Sequence, residues 1–183
     1  MNDFLNYIIL GIIQGLTEFF PVSSSGHLVL FQDYLKITTE GASAEIIAHF
    51  GTLFSILLFY KSSFFAFNKE DDFFNIHNVR LLAVSTIPAV IFGFIFDFEQ
   101  FFNYSFVQYS LMANGFIIIF MSFFKNSFSF KLNFKSAFIL GFFQSVAILP
   151  GISRSGMVIS SALMLGLDTV SYTHLTLPTM ELG

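Results

Sequence analysis

Gly11-Ile-Ile-Gln14-Gly-Leu-Thr-Glu18-Phe-Phe-Pro21-Val-Ser23-Ser24-Ser25-Gly26, near the start of the chain, has a counterpart 130 residues further on: Gly141-Phe-Phe-Gln144-Ser-Val-Ala-Ile-Leu-Pro150-Gly151-Ile-Ser153-Arg154-Ser155-Gly156. Without a gap, Gly11 aligns with Gly141, Gln14 with Gln144, Ser23 with Ser153, Ser25 with Ser155 and Gly26 with Gly156. Each copy is an apolar segment, Phe4–Phe20 or Phe134–Leu149, that runs into a proline and then a Gly/Ser-rich stretch. Irregular backbone at membrane depth survives only where protein buries it or where it lines a wet cavity. Both segments therefore read as helices that enter a membrane and turn back.

The rest of the chain supplies the membrane. Of its 183 residues 55% are hydrophobic and 11% charged, whereas a soluble domain carries about 25% charged residues. The 29 phenylalanines exceed what one small aqueous core could bury without covering the surface in apolar patches. Glu45–Tyr60, Val79–Phe96 and Tyr104–Phe124 have the length and apolarity of spans, which take roughly 17–25 residues. The first is short and carries Glu45 and His49, an i, i+4 pair, in its opening turns, so it begins in a polar cavity rather than in lipid. Solvation of that pair at the membrane interface is the alternative. Tyr34, Tyr60 and Tyr104 lie at span ends, where amphipathic rings favour the interface.

Lys61, Lys69 and Arg80 flank one connection and Lys125, Lys131 and Lys135 occupy another, while Asp97–Asn103 has no Lys or Arg. The two basic connections are expected on the cytoplasmic side. Three crossings separate the two copies, so the second enters from the opposite face. That is an inverted-topology repeat, whose ligand site normally sits near the midplane where the broken helices meet. The expected architecture is all-α and polytopic: residues 1–124 form one repeat and residues 125–169 begin the second. Two complete copies would need about 260 residues, twice the 130-residue offset, so the second repeat reads as incomplete. Ser171–Thr179 resembles translated adapter sequence, and residues 170–183, His174 included, are read as a non-native tail outside the site.

Other classes are excluded. A formal charge of −4 from 20 charged residues gives no surface for nucleic acid, and without cysteine there is no disulfide, thiol nucleophile or Cys-ligated metal. Asp3, with no Lys or Arg ahead of the first apolar run, is the wrong flank for a signal peptide.

Polar groups inside apolar segments are expensive and mark function by default. Gln14 and Glu18 share a helix face at i, i+4, and an intramembrane carboxylate suits Mg²⁺ or Ca²⁺, although a hydrogen-bonded structural Glu reads the same. Ser23, Ser24 and Ser25 with Gly26 and His27 follow Pro21; hydroxyls and free amides there can cradle an anion, and His27 can act as base, acid or nucleophile. The bland reading is a turn capped by its own serines. Arg154, the only cation between Lys135 and the end of the chain, needs an anion: a phosphate, or Glu18 in a structural ion pair. Ser24 and Arg154 are equivalent positions of the repeat, so the two loops are expected to face one another. His77, beside Asn75 and Asn78, reads as a solvated loop residue.

At these residues the chain resembles the undecaprenyl-diphosphate phosphatase family, the bacitracin-resistance type of membrane phosphatase. The resemblance rests on Gln14–Glu18 running into Pro21-Val-Ser-Ser-Ser-Gly-His27, and on Pro150-Gly-Ile-Ser-Arg-Ser155, and extends over residues 1–169. It implies hydrolysis of a polyprenyl diphosphate to the monophosphate and inorganic phosphate, with a divalent cation, in the bacterial inner membrane, facing outward. It also implies roles: Glu18 with Gln14 holds metal and diphosphate, Arg154 clamps phosphate, and His27 with Ser24 assists attack by a side chain or water. Ser23, Ser25, Gly151, Ser153 and Ser155 complete the substrate-binding set, and a homodimer stays open. Val158 departs from the Thr usual at that position, which weakens one phosphate contact, and the missing terminal spans leave helix faces exposed and put the activity of this chain in doubt. A lipid-phosphate transporter would use the same inverted repeats; the dense phosphate-suited cluster favours hydrolysis. The other membrane phosphatase superfamily also uses a Ser-Gly-His string, but no His follows Arg154 before the suspect tail.

Overall fold

The structure, a computed structural model, describes residues 3–39, 42–61, 76–123 and 131–167. The tail at 170–183 and the basic connections at 62–75 and 124–130 lie outside the described residues.

Among the described residues the chain is all-α, with helices α1 (Asp3–Thr17), α2 (Ser24–Leu35), α3 (Ser43–Phe59), α4 (Ile76–Ile95), α5 (Tyr104–Ser122), α6 (Phe134–Ser145) and α7 (Arg154–Leu165). Short 3₁₀ turns at Glu99–Phe101 and Val146–Ile148 complete it. Helices α4 and α5 are long and apolar enough to cross a membrane, and only 17% of each hydrophobic window is buried. A soluble core helix would be mostly buried, whereas here Phe94, Phe116 and Phe120 point outward. The third expected span, α3, has 17 residues, about 25 Å of helix against a hydrocarbon core of about 30 Å. Its first turns face a cavity.

The interior reverses the soluble pattern. Buried positions include Gln14, Gln32, Glu45, Ser85, Asn114, Ser145 and Ser161, so polar side chains are as common inside as apolar ones such as Leu28, Leu81, Val107 and Leu140. Small residues let the helices approach closely where lipid provides no hydrophobic drive. Helix α5 packs on both α2 and α7, α6 packs on α4 and α7, and α1 lies against α2 and α3. His77 is exposed but belongs to the first turn of α4 rather than a loop, its ring edge-on to Phe134 at 5.9 Å.

The α4–α6 contact shows how sequence sets this packing. Pro88 lies inside α4 and removes one helical donor. On the same stretch the Ser85 carbonyl accepts from Gln144 Nε2 at 2.6 Å. A Cβ on Gly141 would stand 2.1 Å from that carbonyl oxygen. Gly141→Ala is therefore expected to force the helices apart and destabilise by about 1–3 kcal/mol, read as a lower melting temperature and a smaller monodisperse fraction in detergent.

Candidate functional site

Both repeat copies fold alike locally. Helix α1 stops at Thr17, the chain turns through Pro21, and Ser23, at φ 65°, caps α2 by accepting from the Gly26 amide at 3.4 Å. After α6 and its 3₁₀ extension, the chain turns through Pro150 and Gly151, and Ser153 caps α7 by accepting from the Gly156 amide at 3.1 Å. Within each turn the cap serine meets the serine two residues on: Ser23 with Ser25 at 3.3 Å, Ser153 with Ser155 at 3.1 Å. The same spacing of Ser, Ser and Gly gives the same capping hydrogen bonds twice, with Ser23 at φ 65° and Ser153 at φ −79°.

The two turns touch. A Cβ on Gly26 would lie 2.8 Å from the Gly151 Cα, and the Ser155 hydroxyl reaches the Phe20 carbonyl at 3.4 Å. Asn114 of α5 ties them: its Oδ1 accepts from the Ser153 amide at 2.9 Å and its Nδ2 donates to the Pro21 carbonyl at 3.1 Å. Asn114→Leu should leave both loop groups unpaired in a buried place, at about 1–3 kcal/mol each. The expected result is a melting temperature lowered by several degrees, with Asn114→Asp, which keeps the acceptor, in between.

A cavity of about 420 Å³ opens where the turns meet, lined by Glu18, Ser23, Ser24 and Ser25 from the first copy and Ser153, Arg154 and Ser155 from the second, with Glu45 and His49 of α3. The first-turn amides of α2 and α7 lack helical partners, and both N-termini carry partial positive charge, so the cavity favours an anion. Arg154 is exposed there and makes no ion pair or hydrogen bond among the described residues. The structural Glu18–Arg154 pair considered from sequence is not formed.

Glu18 is the hub. Its Oε2 accepts from Gln14 Nε2 at 2.9 Å and from the Ser24 hydroxyl at 2.5 Å, and lies 3.4 Å from His49 Nε2. Its Oε1 has no hydrogen bond among the described residues. Gln14, 1% exposed, does not line the cavity, and its Oε1 is buried without a partner, so the structure places it behind Glu18 as an orienting donor. Gly151, at φ 95°, packs on Ser110 and the Val107 carbonyl and is also not a lining residue. His27 turns its Nδ1 to the Ser23 carbonyl at 2.8 Å and stays outside the lining; the group on the Ser24 hydroxyl is Glu18.

Two residues outside the motifs reach the site. Glu45 is 3% exposed, and its Oε1 accepts from Gln32 Nε2 at 2.5 Å, so interfacial solvation does not describe it. His49 sits beside Glu18. The opening turns of α3 do begin in a polar cavity.

The family described as Bacitracin resistance protein BacA matches residues 7–178. The chain belongs to the BacA family. The match continues past residue 169, where the motif resemblance was drawn to a close. Among similar proteins, the undecaprenyl-diphosphatase of Halothermothrix orenii is 38% identical over 177 residues, covering 91% of this chain and 66% of that protein. Undecaprenyl-diphosphatase 4 of Bacillus thuringiensis is 38% identical over 184 residues, 97% of this chain and 70% of the relative. The undecaprenyl-diphosphatase of Thermosipho africanus is 38% identical over 176 residues, with 90% and 68% covered. The chain thus spans about two thirds of the length of these BacA-family relatives.

Proposed function

We propose that this BacA-family chain carries the site of an undecaprenyl-diphosphate phosphatase, hydrolysing the terminal phosphate of a polyprenyl diphosphate to give the lipid monophosphate and inorganic phosphate. The observation that carries it is Arg154 standing without an anion among the described residues in the same cavity as Glu18, at the meeting point of two helix N-termini. The family relatives named for this reaction support it.

In this reading Arg154 forks onto phosphate oxygens, with the Ser25, Ser153 and Ser155 hydroxyls and the first-turn amides of α2 and α7 around them. The Ser24 hydroxyl already points its proton at Glu18. Attack on the terminal phosphorus by Ser24 Oγ, or by a water taking its place, sends that proton to Glu18. The P–O–P bond then breaks and the lipid monophosphate departs; water attack gives inorganic phosphate directly, whereas after Ser24 attack the phosphoryl group rests on Oγ until a water displaces it as inorganic phosphate and Glu18 returns the proton to Ser24. Gln14 keeps Glu18 aligned. Glu18, with one oxygen free of hydrogen bonds, suits a divalent cation such as Mg²⁺ or Ca²⁺; when bound, that ion neutralises charge on the diphosphate.

The polytopic arrangement, the re-entrant hairpins and the inverted repeat belong to the same proposal, supported by the two alike capped turns. So does a bacterial inner-membrane location with the cavity facing outward, supported by the basic connections expected inside. The substrate's tail remains in the bilayer while its headgroup reaches the polar cavity.

Hydrolysis in ¹⁸O-water tests the chemistry. With the chain completed to the length of its relatives, the expected products are lipid monophosphate without label and inorganic phosphate carrying it. Label in the lipid monophosphate contradicts attack at the terminal phosphorus, and an unchanged lipid diphosphate that has crossed a vesicle wall points to a transporter.

A further inference from the structure

The phosphatase reading asks for a cation but does not say what holds it besides Glu18. We infer that His49 is a nitrogen ligand of that cation, and that Gln14 is not a ligand. This deepens the functional reading and rests on it.

The ring of His49 is fixed in the manner of a metal-ligating histidine. Its Nδ1 lies 2.6 Å from the Glu45 carbonyl, an acceptor, so Nδ1 carries the hydrogen and in the neutral ring Nε2 presents its lone pair. A backbone carbonyl holding the far nitrogen is the usual outer partner of a histidine ligand. That carbonyl is itself held: the Glu45 side chain accepts from Gln32 Nε2, and Gln32 Oε1 accepts from the Thr39 hydroxyl at 2.7 Å.

Nε2 stands 3.4 Å from Glu18 Oε2. A lone pair and a carboxylate oxygen at that separation repel unless a positive charge, a proton on Nε2 or a bound cation, lies between them. An ion held by the Glu18 carboxylate would lie within reach of Nε2, since both side chains line the same cavity. Gln14 offers the wrong atom, because its NH₂ faces Glu18 and its oxygen is buried away from the cavity. His27 is ruled out by place, since it does not line the cavity.

Among the described residues no three His, Cys, Asp or Glu side chains are gathered to cage an ion. Two protein donors with the remaining positions open is how Mg²⁺-type ions are held together with substrate phosphates. The cation is thus expected to bind tightly only with a diphosphate. Mn²⁺, which shares the oxygen-donor preference of Mg²⁺ and Ca²⁺, serves as the paramagnetic probe of the His49 nitrogen.

The test is electron spin-echo modulation of Mn²⁺ added with inorganic pyrophosphate to the 183-residue chain in detergent. Expected are ¹⁴N couplings of one imidazole, replaced by ¹⁵N couplings when the protein is grown on ¹⁵N-histidine, which needs no mutation. The couplings should vanish in His49→Gln and persist in His27→Gln, and His49→Gln should weaken Mn²⁺ binding at least about tenfold. Bound Mn²⁺ without nitrogen coupling, no Mn²⁺ binding at all, or couplings lost in His27→Gln but kept in His49→Gln would overturn the inference; the first leaves His49 as an ion-pair partner of Glu18. Phosphate release is assayed separately. Nitrogen coupling without hydrolysis by the chain completed to its relatives' length would keep the metal site and sink the phosphatase.

Discussion

Arg154→Ala is expected to lower phosphate release from a polyprenyl diphosphate on the order of 10³-fold, the lower end of what a single transition-state arginine contributes in phosphoryl transfer. The expectation follows from position. Arg154 is the cation lining the cavity, at the first residue of α7, and no described carboxylate engages it. Its whole interaction capacity is therefore available to substrate. For the same reason the substitution should leave the fold alone: an exposed side chain without partners costs within about ±0.5 kcal/mol when removed. Arg154→Lys keeps the charge but loses the two-pronged geometry, so it should recover only part of the rate. Phosphate release and melting temperature measured on the same preparations check both halves. A large stability loss in Arg154→Ala would mean that the guanidinium holds the fold.

Glu18→Gln should be nearly as severe, with a loss of about 10²- to 10⁴-fold, the range for removing a positioned acid or base. The amide keeps an oxygen that can accept from Ser24 or Gln14, so the turn should survive. What disappears is the negative charge that takes the Ser24 proton and attracts the cation. The diagnostic readout is the metal titration: raising the Mg²⁺ or Ca²⁺ concentration should recover little of the loss. If saturating metal restores the rate, Glu18 serves only to bind the ion. Gln14→Ala, by contrast, removes a donor to Glu18 and leaves a buried gap, so it should weaken the site without abolishing it.

Much of this site could be read before the structure. Proline followed by Ser, Ser and Gly forced two helix breaks, and the repeat register predicted that the breaks face each other; Ser24, Arg154 and Glu18 do share one cavity. The polar opening of α3 was legible from a Glu and a His at helical spacing in an apolar stretch. Other features depended on packing that spacing cannot specify. That His49 of α3 lines the cavity and His27 of α2 does not depends on how those helices pack together. The bridge through Asn114 links residues separated by 93 and 39 positions; the signal available was an amide in the middle of the apolar α5, where a polar group is costly. Gln144 looked like a second copy of Gln14, yet it serves the Pro88 region of α4 instead. Its repeat partner for Glu18 is Ile148, so one copy kept the polar pair and the other turned its glutamine to helix packing.

In the proposed function this cavity hydrolyses a lipid diphosphate with the help of a divalent cation. The most direct measurement is inorganic phosphate released from a long-chain polyprenyl diphosphate in detergent, with and without Mg²⁺ or Ca²⁺, by the chain completed to the length of its relatives. Turnover that a chelator stops and that added metal restores is the expected result. Folded protein that binds the lipid yet releases no phosphate at any metal concentration would contradict it.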